Sequence, residues 1–233
     1  PSQIPLGAWV ARKELSLLDV ARSCQRNLPG LCLVFGVTQI DPLLASREAM
    51  DAQDSSTADY IETAWVEIEG DFADYWSSRG KNLRQNMKKQ RNKLAAESIV
   101  TTFRDLTKLE DMAGAVARYG ALESAGWKAE QGTAIHPDNA QGRFYTAILE
   151  QAGARNEGLV YEYDFNDQPV AVNLCVQRGE TLIILKTTYD ETIKTFSPAF
   201  LLLQEALEPL FAEGRIKRME FFGKVMEWHT RWT

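Results

Sequence analysis

Hydrophobic and polar positions along the chain fall into stretches of distinct period. Residues 15–27, LSLLDVARSCQRN, carry apolar side chains at helical spacing and stop at LPG, which predicts a helix. The short apolar run 31–38, LCLVFGVT, reads as a buried strand. Residues 50–59 are polar without period and read as a linker. Beyond them, Ala64, Val66 and Ile68 alternate with Trp65, Glu67 and Glu69, the period of a half-buried strand. In 78–94, Leu83, Met87 and Leu94 make a narrow apolar stripe on a helix that is polar all round the rest. Further helices are predicted over 109–124 and from Asn139 toward Ala152.

The C-terminal part is the most regular. GLVYEYDF (158–165), PVAVNLCVQ (169–177) and TLIILKTTY (181–189) are strands joined by the short turns NDQ and RGE, an antiparallel meander. An apolar helix follows over 197–211, then a strand, RMEFFG, over 218–223. A strand that returns after a helical crossover is expected to lie parallel to 181–189. These elements predict an α/β (α+β) fold with a mixed, mostly antiparallel sheet flanked by helices.

Charge changes this picture in one place. The chain has a net charge of −6, yet 78–94 holds Arg79, Lys81, Arg84, Lys88, Lys89, Arg91 and Lys93 with no acid before Glu97. Three readings fit: a wall guiding an acidic ligand, an RNA-contacting surface, or a solvated helix face. Overall acidity disfavours a polyanion, so a small acidic ligand stands ahead of RNA. At 233 residues, 45% hydrophobic and 25% charged, the chain is long enough and apolar enough to bury a core without staples. Cys24, Cys32 and Cys175 are scattered without metal spacing, which points to a reducing compartment and a cytoplasmic location. His136 and His229 are the only histidines and stand far apart, so neither a metal site nor a histidine triad is expected. His229 reads as structural or exposed, and Cys175 as a small buried hydrophobe. No apolar run reaches the length of a membrane span.

The strand–loop–helix unit 182–207 carries the candidate chemistry. Ser197 suits an N-cap, and Pro198 suits the first helical position, where an N–H is not missed. The next amides, of Ala199, Phe200 and Leu201, then point out of the helix with its dipole behind them, an anion site to which Lys194 and Thr195 add a charge and a hydroxyl. The plainer reading is a Ser-Pro helix start that binds nothing. Lys186 shares a strand face with Leu182, Ile184 and Thr188 by simple alternation. An ammonium there is paired, with Asp190, Glu162 or Asp164, or lines a wet groove, or reaches solvent from a strand edge.

Taken in order, SSRGKNLRQNMKKQRNKL, ESAGWKAEQGTAI, FYTAILEQA, QPVAVNL, ILKTTYDETIKTFSPAFLLLQEAL and GKVMEWHTRW resemble the GNAT (N-acetyltransferase) superfamily. The likeness is to its BioF2-like or CelD-like acetyltransferase domains, relatives of the FemAB peptidoglycan aminoacyl transferases. The resemblance implies a tandem-lobe protein, with residues 1–60 the tail of a truncated first GNAT-like lobe plus a linker and 61–233 a C-terminal acyltransferase lobe. It implies an acyl-CoA donor and an amine acceptor on a sugar, peptide or envelope precursor, without metal; an aminoacyl-tRNA donor or a non-catalytic scaffold are its alternatives. Pantetheine is then expected along Leu185, Lys186, Thr187 and Thr188, and the pyrophosphate at Phe196, Ser197, Ala199, Phe200 and Leu201. Tyr189 is the candidate for thiolate protonation, Asp190 for handling the amine, and Glu220 for a second base. Trp127 and Lys128 are expected in the acceptor pocket. The tract ETIKTFSPAF lacks the glycines of the superfamily's usual pyrophosphate loop.

Overall fold

Alternation in the second part of the chain becomes an open six-stranded sheet in the computed structural model, which describes residues 12, 14–38, 40, 55–59, 61–125, 135, 136 and 138–233. The chain divides into two units, Pro1–Glu62 and Thr63–Thr233. In the first, helix α1 (Leu17–Asn27) starts at Ser16, whose hydroxyl accepts the Asp19 N–H. The buried strand expected over 31–38 does not form. Leu31, Leu33 and Val34 are 87%, 78% and 85% exposed, and among the described residues no strand lies beside them. Apolar composition alone does not make a strand when nothing pairs its backbone.

The second unit runs β1 (Ala64–Glu67), α2 (Phe72–Ser78), α3 (Lys81–Ala96), β2 (Thr101–Leu106), α4 (Leu109–Ala125), α5 (Ala140–Gly153), β3 (Gly158–Phe165), β4 (Gln168–Arg178), β5 (Thr181–Tyr189), a 3₁₀ turn (Glu191–Phe196), α6 (Pro198–Glu213) and β6 (Arg218–Phe221). The sheet order is β1-β6-β5-β4-β3-β2. Every pair is antiparallel except β5 and β6, parallel as expected of a strand returning through a helix. Asn166 and Asp167 join β3 to β4 with φ of 48° and 63°, the left-handed pair that a tight hairpin needs.

Both faces are covered. On one, Leu159, Tyr161, Cys175, Leu182 and Ile184 pack with α6 (Leu202, Leu203, Ala206) and with Leu83 and Met87 of α3. On the other, Val160, Val172 and Leu174 pack with Met112, Val116 and Tyr119 of α4 and Leu149 of α5.

Two irregularities in β5 shape the site. The β4–β5 register runs Leu174↔Lys186 but Cys175↔Ile184, so Leu185 is an extra, bulged residue. Opposed residues share a face, which puts Lys186 with Leu174 under α4 and α5 and leaves Leu182 and Ile184 on the α6 side. The expectation that Lys186 shares a face with Leu182 and Ile184 is therefore corrected; one inserted residue reverses the alternation beyond it. In addition, the β5–β6 ladder ends early. It runs from Thr181↔Arg218 to Ile184↔Phe221 and closes with Phe222 N–H donating to the Ile184 carbonyl at 3.0 Å. The rest of β5 continues beside β4 alone, and the sheet opens between β5 and β6.

Candidate active site

Backbone geometry defines the floor of this opening. Asp190 N–H donates to the Val170 carbonyl at 2.8 Å. In an antiparallel ladder alternate residues bond to the same neighbour. Thr188 and Lys186, opposite Val172 and Leu174, therefore turn their backbone groups to β4. Thr187 and Tyr189 turn theirs to the open side. Among the described residues the group found there is the Tyr119 hydroxyl, 3.3 Å from the Thr187 carbonyl oxygen.

The start of α6 lies just beyond. Ser197 ends the 3₁₀ turn and begins α6 as a single left-handed residue, φ 54° and ψ 49°, because one residue has to reverse the chain between two helical segments. It makes no side-chain cap. Its Oγ instead receives Asn86 Nδ2 of α3 at 3.4 Å, and Gln90 Nε2 bonds Asn86 Oδ1 at 3.1 Å. The expected row of three free amides is corrected: Phe200 and Leu201 donate to the Ser197 carbonyl at 3.0 and 3.1 Å. The Leu201 bond is the ordinary first i→i−4 bond of the helix, and Phe200 shares the same carbonyl through an i→i−3 contact. Among the described residues the Ala199 amide has no backbone acceptor, so the anion site narrows to that N–H. The Leu201 side chain is core.

Basic α3 runs beside this corner, which answers part of the question its charge poses. Lys93 Nζ sits 3.8 Å from the Phe196 ring centre and 3.9 Å from Glu97. Arg91 holds Glu205 at 2.8 Å and Gln204 at 3.1 Å, Arg79 donates to the Trp232 carbonyl at 2.6 Å, and Arg84 to the Arg79 carbonyl at 3.0 Å. Part of the segment is thus wiring within the fold, Lys93 lies against Phe196 just before α6, and Lys81, Lys88 and Lys89 face solvent.

The other expected site residues are spread around the opening. Tyr189 ends β5 and packs against the α6-side core. Asp190 caps the 3₁₀ turn, its Oδ1 taking the Thr192 N–H at 2.9 Å and hydroxyl at 2.6 Å. Glu220 stands in the paired part of β6 opposite Ile183, with Arg218 at 3.7 Å. Lys186 Nζ lies 5.5 Å from the Tyr145 ring centre. Two of the acids expected to pair with Lys186 are engaged elsewhere: Arg104 bonds Glu162 at 3.0 Å and Asp164 at 2.7 Å, and Arg118 bonds Glu162 at 2.8 Å. Trp127 and Lys128 lie outside the described residues.

The sequence did not signal the group on the α4 side of Lys186. Glu123 is buried and accepts the Tyr119 hydroxyl at 3.1 Å and the Ile135 N–H at 2.7 Å. Gly120 permits this approach, since a Cβ there would stand 2.6 Å from the Ile135 carbonyl oxygen. Burial, reinforced by the Glu123 charge, drives the phenols of Tyr119 and Tyr145 above their ordinary range. The only trace in the chain is the i, i+4 spacing of Tyr119 and Glu123; the partners Ile135 and Thr187 are distant in sequence.

His229 is buried, stacks on Phe221 with centroids 4.5 Å apart, and accepts Met226 N–H at 2.9 Å; burial lowers its pKa to about 4. It is a structural residue. Among the described residues no cluster of three or more His, Cys, Asp or Glu is placed to hold a metal, and no helix is long and apolar enough to cross a membrane.

A mostly antiparallel sheet that splits between its one parallel pair, with a helix start facing the split, defines an N-acetyltransferase type of fold. Residues 81–230 match the family described as "Acetyltransferase (GNAT) domain", and the chain belongs to that family. Membership puts it among acyl-group transferases in general. Among solved structures it is similar to FemX, with a TM-score of 0.53 at 8% identity, covering 71% of this chain and 53% of FemX. The chain thus spans about half the length of FemX. It is also similar to the C-terminal domain of a putative lysylphosphatidylglycerol synthetase from Agrobacterium fabrum, with a TM-score of 0.47 at 14% identity, covering 74% of this chain and 50% of that one. A predicted acetyltransferase from Clostridium acetobutylicum, solved with acetyl-CoA, gives a TM-score of 0.40 at 14% identity, covering 54% of this chain and 82% of that one. Among curated proteins none matches the chain by sequence.

Proposed function

We propose that the chain transfers an acyl group from an acyl-CoA to an amine on a sugar, peptide or envelope precursor, in the cytoplasm, as the C-terminal lobe of a FemAB-like protein whose first lobe ends within residues 1–60. The opening of β5 away from β6, with the backbone edge of Thr187 and Tyr189 turned into it, carries this reading. An extended pantetheine arm bonds to such an edge as a missing strand does. The Ala199 amide and the cations of α3 suit its phosphates. The acceptor approaches from the α4 and α5 side, where Lys186 lies; Trp127 and Lys128 remain candidate acceptor contacts from the family resemblance alone.

The amine nitrogen attacks the thioester carbonyl as a neutral base, the C–N bond forms, and the C–S bond breaks to release a thiolate. One proton leaves the acceptor ammonium before attack, and a second passes from nitrogen to sulfur. In this reading Tyr189 is the candidate for the second transfer, and Asp190 or Glu220 the candidate for the first. A domain that kept the fold and lost its donor site is the competing reading. It is favoured by the Phe200 and Leu201 amides being already bonded to Ser197.

Calorimetry with acetyl-CoA, longer acyl-CoAs and charged tRNA separates these. Acyl-CoA is expected to bind, and Ser197→Asp to weaken it at least about tenfold, because the carboxylate competes for the Ala199 corner while aspartate tolerates the left-handed backbone. Binding of charged tRNA alone would identify an aminoacyl-tRNA user. Silence with every donor would support the scaffold.

A further inference from the structure

One hydroxyl proton serves two acceptors at the open edge of β5. The Tyr119 oxygen is 3.1 Å from Glu123 Oε1 and 3.3 Å from the Thr187 carbonyl oxygen. A phenol has a single O–H, so it serves one of them at a time. A carboxylate is the stronger acceptor, and Glu123, at 3% exposure, has little water to compete for it. The other carboxylate oxygen is fixed by the Ile135 N–H at 2.7 Å, which holds the group in register with the tyrosine. The hydroxyl therefore points to Glu123 and leaves the Thr187 carbonyl without its proton.

We propose that Glu123 is a positioning residue: by drawing the Tyr119 hydroxyl to itself, it spares the Thr187 carbonyl a competing donor and leaves it a full-strength acceptor for an amide N–H of the acyl donor. This rests on the reading that the donor lies along the open edge of β5, and it adds a requirement. The donor must present a secondary amide there, as a pantetheine arm does and a nucleotide alone does not. Burial keeps Tyr119 protonated, so the hydroxyl is available as a donor throughout the ordinary pH range.

The test uses Glu123→Gln. The amide oxygen retains the Ile135 N–H, which turns the NH₂ toward the Tyr119 oxygen and swings the hydroxyl proton onto Thr187. Calorimetry is expected to show acetyl-CoA binding weakened about tenfold, with adenosine 3′,5′-bisphosphate, which has no amide, bound as in wild type. Adding Tyr119→Phe to Glu123→Gln removes the competing proton and is expected to restore acetyl-CoA affinity to within about threefold of wild type. Tyr119→Phe alone is expected to bind acetyl-CoA at least as tightly as wild type. Equal weakening of both ligands in Glu123→Gln, failure of the double variant to recover, or weakening by Tyr119→Phe alone would each overturn the proposal. Should Glu123→Gln not fold, the Tyr119→Phe arm decides. Wild type that binds no acetyl-CoA defeats the functional reading and this inference with it, whereas wild-type binding indifferent to Glu123→Gln defeats this inference only.

Discussion

Thr188→Pro is expected to unfold the C-terminal unit, while Thr187→Pro is expected to leave it folded and unable to hold an acyl donor. The two positions are adjacent and chemically alike, so the contrast isolates backbone direction. Thr188 lies opposite Val172 with its backbone groups turned to β4, in the middle of the sheet, where a proline removes a ladder bond and collides with its neighbours. Leaving the opposed backbone acceptor unpaired alone costs about 1–3 kcal/mol, a large fraction of a domain's stability, and the ring's collision adds to it. The Thr187 N–H faces the opening, where β5 behaves as an edge strand and proline is tolerated. Its loss removes one donor from the edge that a pantetheine arm uses. Thermal unfolding and acetyl-CoA calorimetry on both variants check the pair. Equal destabilisation at both positions would mean that β5 is not open at Thr187.

The second large effect concerns the charges that tie α4 to the sheet. Glu162 is 0% exposed and is held by Arg104 and Arg118, whose side chains are 37% and 38% exposed. Replacing both arginines with alanine leaves a carboxylate in the core without its partners. The expected loss is about 3–5 kcal/mol in chemical denaturation, since a buried charge stripped of its partners is far costlier than the pair itself. Adding Glu162→Gln is expected to return part of it, because that stranded charge is gone while buried Asp164 still lacks Arg104. If the double alanine variant unfolds at the wild-type denaturant midpoint, the network does not support the position of α4.

Much of this architecture is written in local pattern. Ala64, Val66 and Ile68 turn inward as their alternation implies, and β3, β4 and β5 follow the meander that the NDQ and RGE turns mark. The parallel return of β6 follows from its helical crossover. What escaped was set by contacts between distant residues. The edge strand β2, TTFRDL, has a largely exposed, weakly alternating sequence and is defined by β3 alone. The bulge at Leu185 leaves no mark in LIILKTTY, yet it decides which face Lys186 takes. Gln90 completes the buried stripe of α3 although it is polar, because it bonds Asn86 beside Ser197. The Ser-Pro helix start was legible, and the Leu201 bond to the Ser197 carbonyl follows from it; the left-handed backbone of Ser197 and the sharing of its carbonyl with Phe200 were not. In the candidate site, the strand and helix start that face the opening could be read in advance. The Glu123–Tyr119 pair could not, because its meaning depends on Ile135 and Thr187.

Residue-resolved amide hydrogen exchange, with and without saturating acyl-CoA, tests the central claim most directly. In the free protein the Thr187 and Tyr189 amides should exchange much faster than those of Lys186 and Thr188, and acyl-CoA should slow Thr187 in particular. Thr187 protected in the free protein, or unchanged at saturating acyl-CoA, would contradict a donor site on the open edge of β5.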